Sequence, residues 1–198
     1  KTLLLRRLGS SIEAGRATIM RLLARAEVTD ADDTEEDEEL FEDEPTSSSF
    51  EDFTGEEVEA LHRCLALLDS SGEEDPKLAE VYRYLFEGSV EHHAPTGPWL
   101  ERGCILFSQY YDTAFWVGQK LASHHHLSSE TIALYAGAGR SLIWEDGNHR
   151  RADRDEIKAM VAEGRIKILL GTDAASEGLN LQRLGSLIHI DLPWNPTR

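Results

Sequence analysis

The sequence predicts an α/β fold in which a parallel β-sheet is flanked by helices and preceded by a helical extension. From Gly103 onward, short apolar runs alternate with segments whose apolar residues recur at helical spacing, which is typical of βαβ units. Before Gly103, the apolar residues recur mainly at helical spacing. The sheet is therefore expected in the second half of the chain and the helical extension in the first half.

The length and the cysteines narrow the class of protein. A chain of 198 residues is long enough for one α/β domain with helical additions. Cys64 and Cys104 lie far apart without a CxxC partner, so they indicate neither a disulfide framework nor a zinc site. They favour an intracellular location, in the cytoplasm, the nucleoid or the nucleus. No signal peptide or membrane span is evident, and no membrane partner is expected. Because the chain begins with Lys1 rather than Met, we expect a fragment of a longer protein.

The acidity of the chain is concentrated in one segment. The net charge is −17, yet sixteen acidic residues and no Lys or Arg lie between Asp30 and Glu59, and the rest is nearly neutral. Nucleic-acid binding by the rest of the chain is therefore not excluded. Residues 28–53 are predicted to be a disordered, solvated insertion, because dense like charge with few apolar residues cannot form a core. The alternative is an acidic segment that binds a basic partner or competes for the protein's own nucleic-acid groove.

Two helical regions precede the α/β half. Residues 1–27 are predicted to form an amphipathic helix, weakened at Gly9 and Gly15. Residues 54–100 are predicted to form a helical hairpin and a linker. Thr54 and Glu57 have the spacing of a capping box at the start of its first helix. We expect these helices to pack rather than to take part in chemistry.

The α/β half is residues 101–198. The predicted strands and helices, in chain order, are strand Cys104–Phe107, helix Tyr111–Leu121, strand Thr131–Tyr135, a loop, helix Arg151–Glu163, strand Ile166–Leu170 and strand Leu187–Asp191.

The chemistry is expected just after the strand that ends at Leu170. Gly171, Thr172 and Asp173 follow that strand and indicate the start of a helix. Ligands gather at the carboxyl ends of strands in open α/β sheets, where unpaired N–H groups of a helix start attract anions. Thr172 therefore occupies a position suited to a phosphate, and Ser108 with Gln109 occupies a similar position after another strand.

Several blocks of sequence resemble known motifs. TDAASEGLNLQ, which begins at Thr172, resembles motif V of superfamily 2 helicases and translocases, and EGLNLQ with HIDLPWNP is most similar to the Swi/Snf-type branch. CILFSQYYDTA, which begins at Cys104, resembles motif IV. LLLRRLGSSIEAG, which begins at Leu3, resembles the helical segment before the second lobe of Swi/Snf-like proteins. Arg154 is placed like the arginine that opens the helix before motif V in DEAD-box relatives.

The resemblance implies that residues 101–198 are a RecA-like C-terminal lobe, truncated before motif VI. It further implies roles for individual residues. Nucleic-acid contacts are expected at Ser108, Gln109, Thr172 and Asp173, ATP contacts at Gly178 and Asn180, and supporting positions at Arg154 and Glu177. ATP and Mg²⁺ would be held mainly by the first RecA-like lobe of the same polypeptide.

Simpler interpretations stand beside these roles. Ser108 is equally consistent with a helix cap, and Arg154 with a surface position or a local ion pair to Asp153 or Asp155. Asp173 and Glu177 favour helix N-terminal charge over a metal site, and consecutive histidines at 124–126 do not form a preset metal site.

The expected function is therefore the C-terminal motor-lobe fragment of an ATP-dependent nucleic-acid helicase or translocase, with DNA favoured as the partner. Since no Walker A stretch, Walker B pair or motif VI is found in the sequence, the 198-residue chain is expected to be inactive alone. Two alternatives stay open: a non-catalytic RecA-like module whose acidic segment binds a protein partner, and an RNA helicase lobe.

Overall fold

The computed structural model describes residues 2–27, 53–70, 75–88, 90–91, 94–95, 97–127, 129–137, 139–172 and 183–191. The predicted acidic insertion, apart from Phe53, lies outside these residues. The helices are α1 (Thr2–Ser10), α2 (Ile12–Glu27), α3 (Gly55–Ser70), α4 (Pro76–Glu87), α5 (Trp99–Arg102), α6 (Tyr111–Ala122) and α7 (Arg154–Ala162). The strands are β1 (Val90–Glu91), β2 (Ala94–Pro95), β3 (Cys104–Phe107), β4 (Thr131–Tyr135), β5 (Leu142–Glu145), β6 (Asn148–Arg151), β7 (Ile166–Gly171) and β8 (Ser186–His189). No helix among these described segments is both long and apolar enough to span a bilayer.

The main sheet has six strands in the order β6-β5-β4-β7-β3-β8. β4, β7, β3 and β8 run parallel to one another, which confirms the predicted parallel sheet. β5 and β6 extend it with antiparallel pairing, so the whole sheet is mixed. Helices flank this sheet, and the fold is α/β.

The β5–β6 hairpin differs from the prediction of a loop followed by a helix from Arg151. Asp146 and Gly147 connect its strands with φ angles of 51° and 76°. Two successive residues at positive φ match the right-handed twist of a tight hairpin, and Asp-Gly is a preferred pair for this turn. The chain therefore pairs back on itself, and α7 begins only at Arg154.

The two faces of the sheet are covered by different helices. On one face, α4 and α6 pack through Leu78, Val81, Leu85, Val117 and Leu121. On the other, α7 packs through Ile157, Met160 and Val161. At Gly118 the backbone of α6 comes so close to the sheet that a Cβ would lie 2.7 Å from the Trp144 ring.

The N-terminal region forms two helices rather than the single predicted helix, and the break falls at Ser11, between the two glycines. Asp75 accounts for this geometry, because its carboxylate caps two helices at once. It accepts hydrogen bonds from the N–H of Ile12 in α2 (3.1 Å) and of Lys77 in α4 (2.9 Å). The Lys77 ammonium donates to the carbonyls of Gly9 and Ser10 at the end of α1. α4 thus fixes the junction between α1 and α2.

The predicted helices of residues 54–100 bury their apolar faces in different clusters. The capping box of α3 is confirmed, since Thr54 N–H donates to Glu57 Oε2 (3.0 Å) and Glu57 N–H to Thr54 Oγ1 (3.3 Å). α3 packs on α2, where Leu61 meets Ile19 and Leu23. α4 instead joins the core of the α/β half.

Candidate nucleic-acid interface

The four parallel strands end together at one edge of the sheet. Their terminal residues Tyr135, Gly171, Phe107 and His189 pair in a single row across β4, β7, β3 and β8. The chain segments that follow β3 and β7 are neighbours at this edge, because Ser108 N–H donates to Gly171 carbonyl oxygen (3.0 Å). Parallel pairing of β3 and β7 thus brings together Ser108 and Thr172, two predicted site residues that lie 64 positions apart in the sequence.

Thr172 is the first residue after β7 and is 8% exposed. Its backbone N–H already donates to the carbonyl oxygen of Tyr135 (3.3 Å), which extends the ladder between β7 and β4 by one residue. Any contact to an anion at this position therefore falls to the hydroxyl of Thr172. The predicted helix after it lies outside the described residues.

Asp191 fixes the segment that contains Ser108 and Gln109. Its Oδ2 accepts a hydrogen bond from Ser108 Oγ (2.7 Å), and its Oδ1 accepts one from the backbone N–H of Gln109 (2.8 Å). Ser108 is fully buried, and its Oγ also accepts from the N–H of Tyr110 (3.1 Å). The Ser108 hydroxyl is therefore occupied within the protein, whereas the side chain of Gln109 is half-buried.

The simple helix-cap interpretation of Ser108 is not what the structure has. The residue that precedes α6 is Tyr110, and its side chain makes no capping hydrogen bond. Ser108 instead closes a local turn two residues earlier, through the Tyr110 N–H. The hydroxyl therefore orders the end of β3 rather than the start of α6.

The N-terminal helices reach this edge through a chain of hydroxyls. Ser10 Oγ donates to Asp191 Oδ2 (2.5 Å) and lies 2.7 Å from Thr113 Oγ1, which lies 2.9 Å from Ser11 Oγ. Each hydroxyl has one proton, and that of Ser10 goes to Asp191. Thr113 therefore donates to Ser10, and Ser11 donates to Thr113. The result is one buried polar network that joins α1, α6 and the end of β8.

A second connection between the N-terminal helices and α6 consists of ion pairs to Asp112, in the first turn of α6. Asp112 accepts two hydrogen bonds from Arg21 (2.9 and 3.1 Å) and one from Arg7 (3.3 Å). Arg7 is 4% exposed, and its guanidinium lies 4.3 Å from the centre of the Tyr110 ring. Arg7 of α1 and Arg21 of α2 thereby hold the N-terminal helices against the lobe.

Arg154 lies at the start of α7, beyond the end of β4. Its Nε donates to the carbonyl oxygen of Ala136 (3.1 Å), and its guanidinium lies 5.2 Å from the centre of the Tyr135 ring. It borders an open groove of about 570 Å³ that is also lined by Gly139, Ser141, Ala152, Asp153, Asp155 and Glu156. Within the described part of the chain, neither Asp153 nor Asp155 forms an ion pair with Arg154. The arginine therefore anchors the loop after β4 and keeps part of its guanidinium at the surface.

Four of the predicted site residues, Asp173, Glu177, Gly178 and Asn180, lie outside the described residues, and their roles stay predictions. The described part of the chain contains no group of three His, Cys, Asp or Glu side chains placed to hold a metal ion. At the sheet edge itself, both oxygens of the Asp191 carboxylate are taken by internal donors. The described residues of this edge therefore do not form a binding site for Mg²⁺.

Sequence reasoning missed the residues that hold this edge together. The hydrogen-bond partners of Asp191 lie 82 to 181 positions away in the sequence. Those of Asp112 lie 91 to 105 positions away. No local spacing signals such contacts. The one available sign was an Asp as the last residue of the predicted strand Leu187–Asp191, which by itself is common.

The comparison with known families agrees with this architecture. Residues 101–198 match the family described as the helicase conserved C-terminal domain. The chain contains a helicase C-terminal domain. This domain is homologous to ATP-dependent helicases.

Individual relatives match shorter segments. The uncharacterized ATP-dependent helicase YqhH of Bacillus subtilis is 42% identical over 30% of this chain. The ATP-dependent RNA helicase DbpA of Escherichia coli is 31% identical over 29% of it, and the DEAD-box ATP-dependent RNA helicase 9 of rice is 28% identical over 64%. The matched segments span 11%, 13% and 19% of these relatives. None of these names refers to the Swi/Snf-type branch, so that finer placement stays a prediction.

Proposed function

We propose that this helicase domain is the second RecA-like lobe of an ATP-dependent nucleic-acid motor, and that the loops after β3 and β7 grip the phosphate backbone. The adjacency of Gln109 and Thr172 at the ends of two paired parallel strands is the observation that carries this proposal. Hydroxyl and amide side chains at such positions are suited to phosphate oxygens, which position a strand without reading its bases.

The residues of the edge have different roles in this proposal. Gln109, Thr172 and Asp173 contact the backbone, and Ser108 supports them by holding its loop to Asp191. Gly178 and Asn180 approach the nucleotide, with Arg154 and Glu177 in supporting positions. ATP supplies the free energy for movement when it is bound between this lobe and the first lobe, which provides most ligands for its phosphates and for Mg²⁺.

Duplex DNA is the proposed partner, on the basis of the EGLNLQ and HIDLPWNP segments that resemble Swi/Snf-type proteins. RNA is the second candidate, because the relatives from Escherichia coli and rice are named RNA helicases. The two candidates share the same backbone contacts at Gln109 and Thr172. They differ in which polymer binds more tightly.

Fluorescence anisotropy of labelled oligonucleotides tests the proposal directly. Duplex DNA and single-stranded RNA of matched length are titrated with the 198-residue chain at low salt. Thr172→Ala and Gln109→Ala are each expected to weaken binding about 3- to 10-fold, the effect of one lost hydrogen bond. Thr131→Ala is the matched control, because Thr131 begins β4 at the opposite edge of the sheet. Equal affinities for Thr172→Ala, Gln109→Ala and Thr131→Ala would remove the proposed contacts.

The coupling to ATP is tested in the full-length polypeptide. Nucleic acid is expected to stimulate its ATPase rate, and Thr172→Ala is expected to reduce this stimulation while the basal rate stays unchanged. Stimulation by duplex DNA in excess of that by RNA supports the first candidate. The reverse order supports the second, and no stimulation by either polymer contradicts the motor assignment.

A further inference from the structure

The β5–β6 hairpin brings two arginines to the edge of the sheet where Thr172 lies. Leu134 of β4 pairs with Leu142 of β5, which in turn pairs with Arg151 of β6. Arg151 therefore ends its strand level with the carboxyl ends of the parallel strands. Arg140 belongs to the loop that connects β4 to β5, so it emerges at the same edge.

Tyr111, the first residue of α6, lies against Arg140. The Arg140 guanidinium is 4.7 Å from the centre of the Tyr111 ring, and the Tyr111 hydroxyl donates to the Arg140 carbonyl oxygen (3.4 Å). Stacking on the ring fixes the plane of the guanidinium and limits the entropy lost when it binds a ligand. The Nε of Arg140 is shielded from solvent and has no hydrogen-bond partner.

Arg151 lies beside the loop that carries Arg140, because it pairs with Leu142 and the next residue, Ala152, donates its N–H to the Ser141 carbonyl oxygen (3.0 Å). Burial raises the pKa of Tyr111, while the positive charges of Arg140 and Arg151 act in the opposite direction. The nearest acidic influence, Asp112, is already bound to Arg7 and Arg21.

Arg150, the residue before Arg151, has carboxylate partners within the protein. Arg150 lies 2.7 Å from Glu156 and 3.8 Å from Glu145. By contrast, within the described segments no carboxylate forms an ion pair with Arg140 or with Arg151. Two cations on neighbouring parts of one hairpin, neither paired with a carboxylate of the described residues, suit a ligand with successive negative charges.

We propose that Arg140, stacked on Tyr111, and Arg151 form a further phosphate-binding site that extends the backbone contact from Thr172 across β4 to the β5–β6 hairpin. This inference rests on the proposed function, because its ligand is the same polynucleotide. The stacked Arg140 receives one phosphate and the exposed Arg151 an adjacent one. A planar guanidinium presents paired N–H donors to phosphate oxygens, which a lysine does not.

The salt dependence of oligonucleotide binding tests the site. Each phosphate contact that is lost lowers the slope of log K against log salt by about 0.9 for duplex DNA. Arg140→Ala with Arg151→Ala is expected to lower the slope by about 2 and the affinity at low salt at least 10-fold. Arg63→Ala is the control with the same change in charge per site, because Arg63 is an exposed residue of α3 paired with Glu59.

Three further measurements separate the outcomes. Arg151→Gln alters a surface side chain, so a reduced slope in this variant with an unchanged melting temperature is expected, and it guards against misfolding of Arg140→Ala. Arg140→Lys is expected to recover part of the affinity of Arg140→Ala. A double variant with the slope of Arg63→Ala overturns this site, even where Thr172→Ala still weakens binding. Failure of the unaltered chain to bind any oligonucleotide overturns the proposed function, and this site with it.

Discussion

The hydroxyl of Ser108 donates to the carboxylate of Asp191 at 2.7 Å, which connects the ends of β3 and β8 across 83 positions of sequence. The same carboxylate also receives the Gln109 N–H and the Ser10 hydroxyl. A carboxylate with three donors, two from the loop after β3 and one from the end of α1, holds the proposed backbone-binding loop in one conformation. The loop is therefore ordered before any ligand arrives, which reduces the entropy that binding costs.

Replacement of Asp191 by Asn should destabilise the protein. The amide nitrogen would face the hydroxyls of Ser10 and Ser108, which now donate to Asp191 and would have to reverse their hydrogen bonds. The negative charge that strengthens these hydrogen bonds would also be lost. We expect the free energy of unfolding to fall by about 2 kcal/mol, measured by urea denaturation. Asp69→Asn is the control, since the Asp69 pair with Arg16 is half-exposed and should contribute little. Equal urea midpoints for the two variants would contradict a structural role for Asp191.

Removal of the Asp112 charge should loosen the N-terminal helices from the lobe. Asp112→Asn leaves the buried Arg7 without its carboxylate, and we expect a loss of about 2 kcal/mol in unfolding free energy. A double-mutant cycle with Arg21→Gln measures the coupling, which should exceed that of the exposed Arg63 and Glu59 pair. If both cycles give couplings below about 0.5 kcal/mol, the connection between α2 and α6 contributes nothing specific.

The hairpin turn should tolerate one change and reject another. Gly147 has φ at 76°, where a side chain costs about 1 to 2 kcal/mol, so Gly147→Ala should lower the stability by that amount. Asp146→Asn should be nearly neutral, because Asn is readily accepted at positive φ. Chemical denaturation of both variants provides the comparison. Equal stability of Gly147→Ala and the unaltered chain would mean that the turn adopts another conformation.

The two cysteines should differ in reactivity. Burial raises the pKa of the Cys104 thiol to about 11, so at pH 8 roughly one molecule in a thousand carries the reactive thiolate. Cys64 on α3 is half-buried and is expected to be alkylated by iodoacetamide well before Cys104, as followed by mass spectrometry. In urea the two rates should converge. Faster labelling of Cys104 in the folded protein would show that β3 is accessible to solvent.

The parts of the structure that sequence predicted are those specified by neighbouring residues. The run Cys104–Phe107 is a strand because four successive apolar residues suit a sheet buried on both faces, and Thr54 with Glu57 begins a helix through contacts three residues apart. β6 was not predicted, because its residues are all exposed and polar and show no apolar pattern. It is a strand because it pairs with β5. The one local signal for this hairpin is the Asp146-Gly147 pair at its turn.

The polar contacts of the candidate site could be predicted least. Ser108 was correctly placed at a strand end, but its donation to Asp191 depends on the spatial order of strands, which sequence does not display. The break at Ser11 has a local part, since the Ser11 hydroxyl accepts from the Ala14 N–H (3.0 Å), but its second cap comes from Asp75, 64 residues away. Such contacts are fixed by the assembled fold and leave no periodic pattern.

The double cap at Asp75 has a practical consequence for anyone who wishes to shorten this protein. The segment that matches the family starts at residue 101, yet a cut there would remove α1, α2 and α4. The core would lose the apolar face of α4, Asp112 would lose Arg7 and Arg21, and Asp191 would lose Ser10. The part of the chain that matches the family is therefore shorter than the part that is needed for a stable fold. The smallest self-supporting piece has to retain the first two helices and α4.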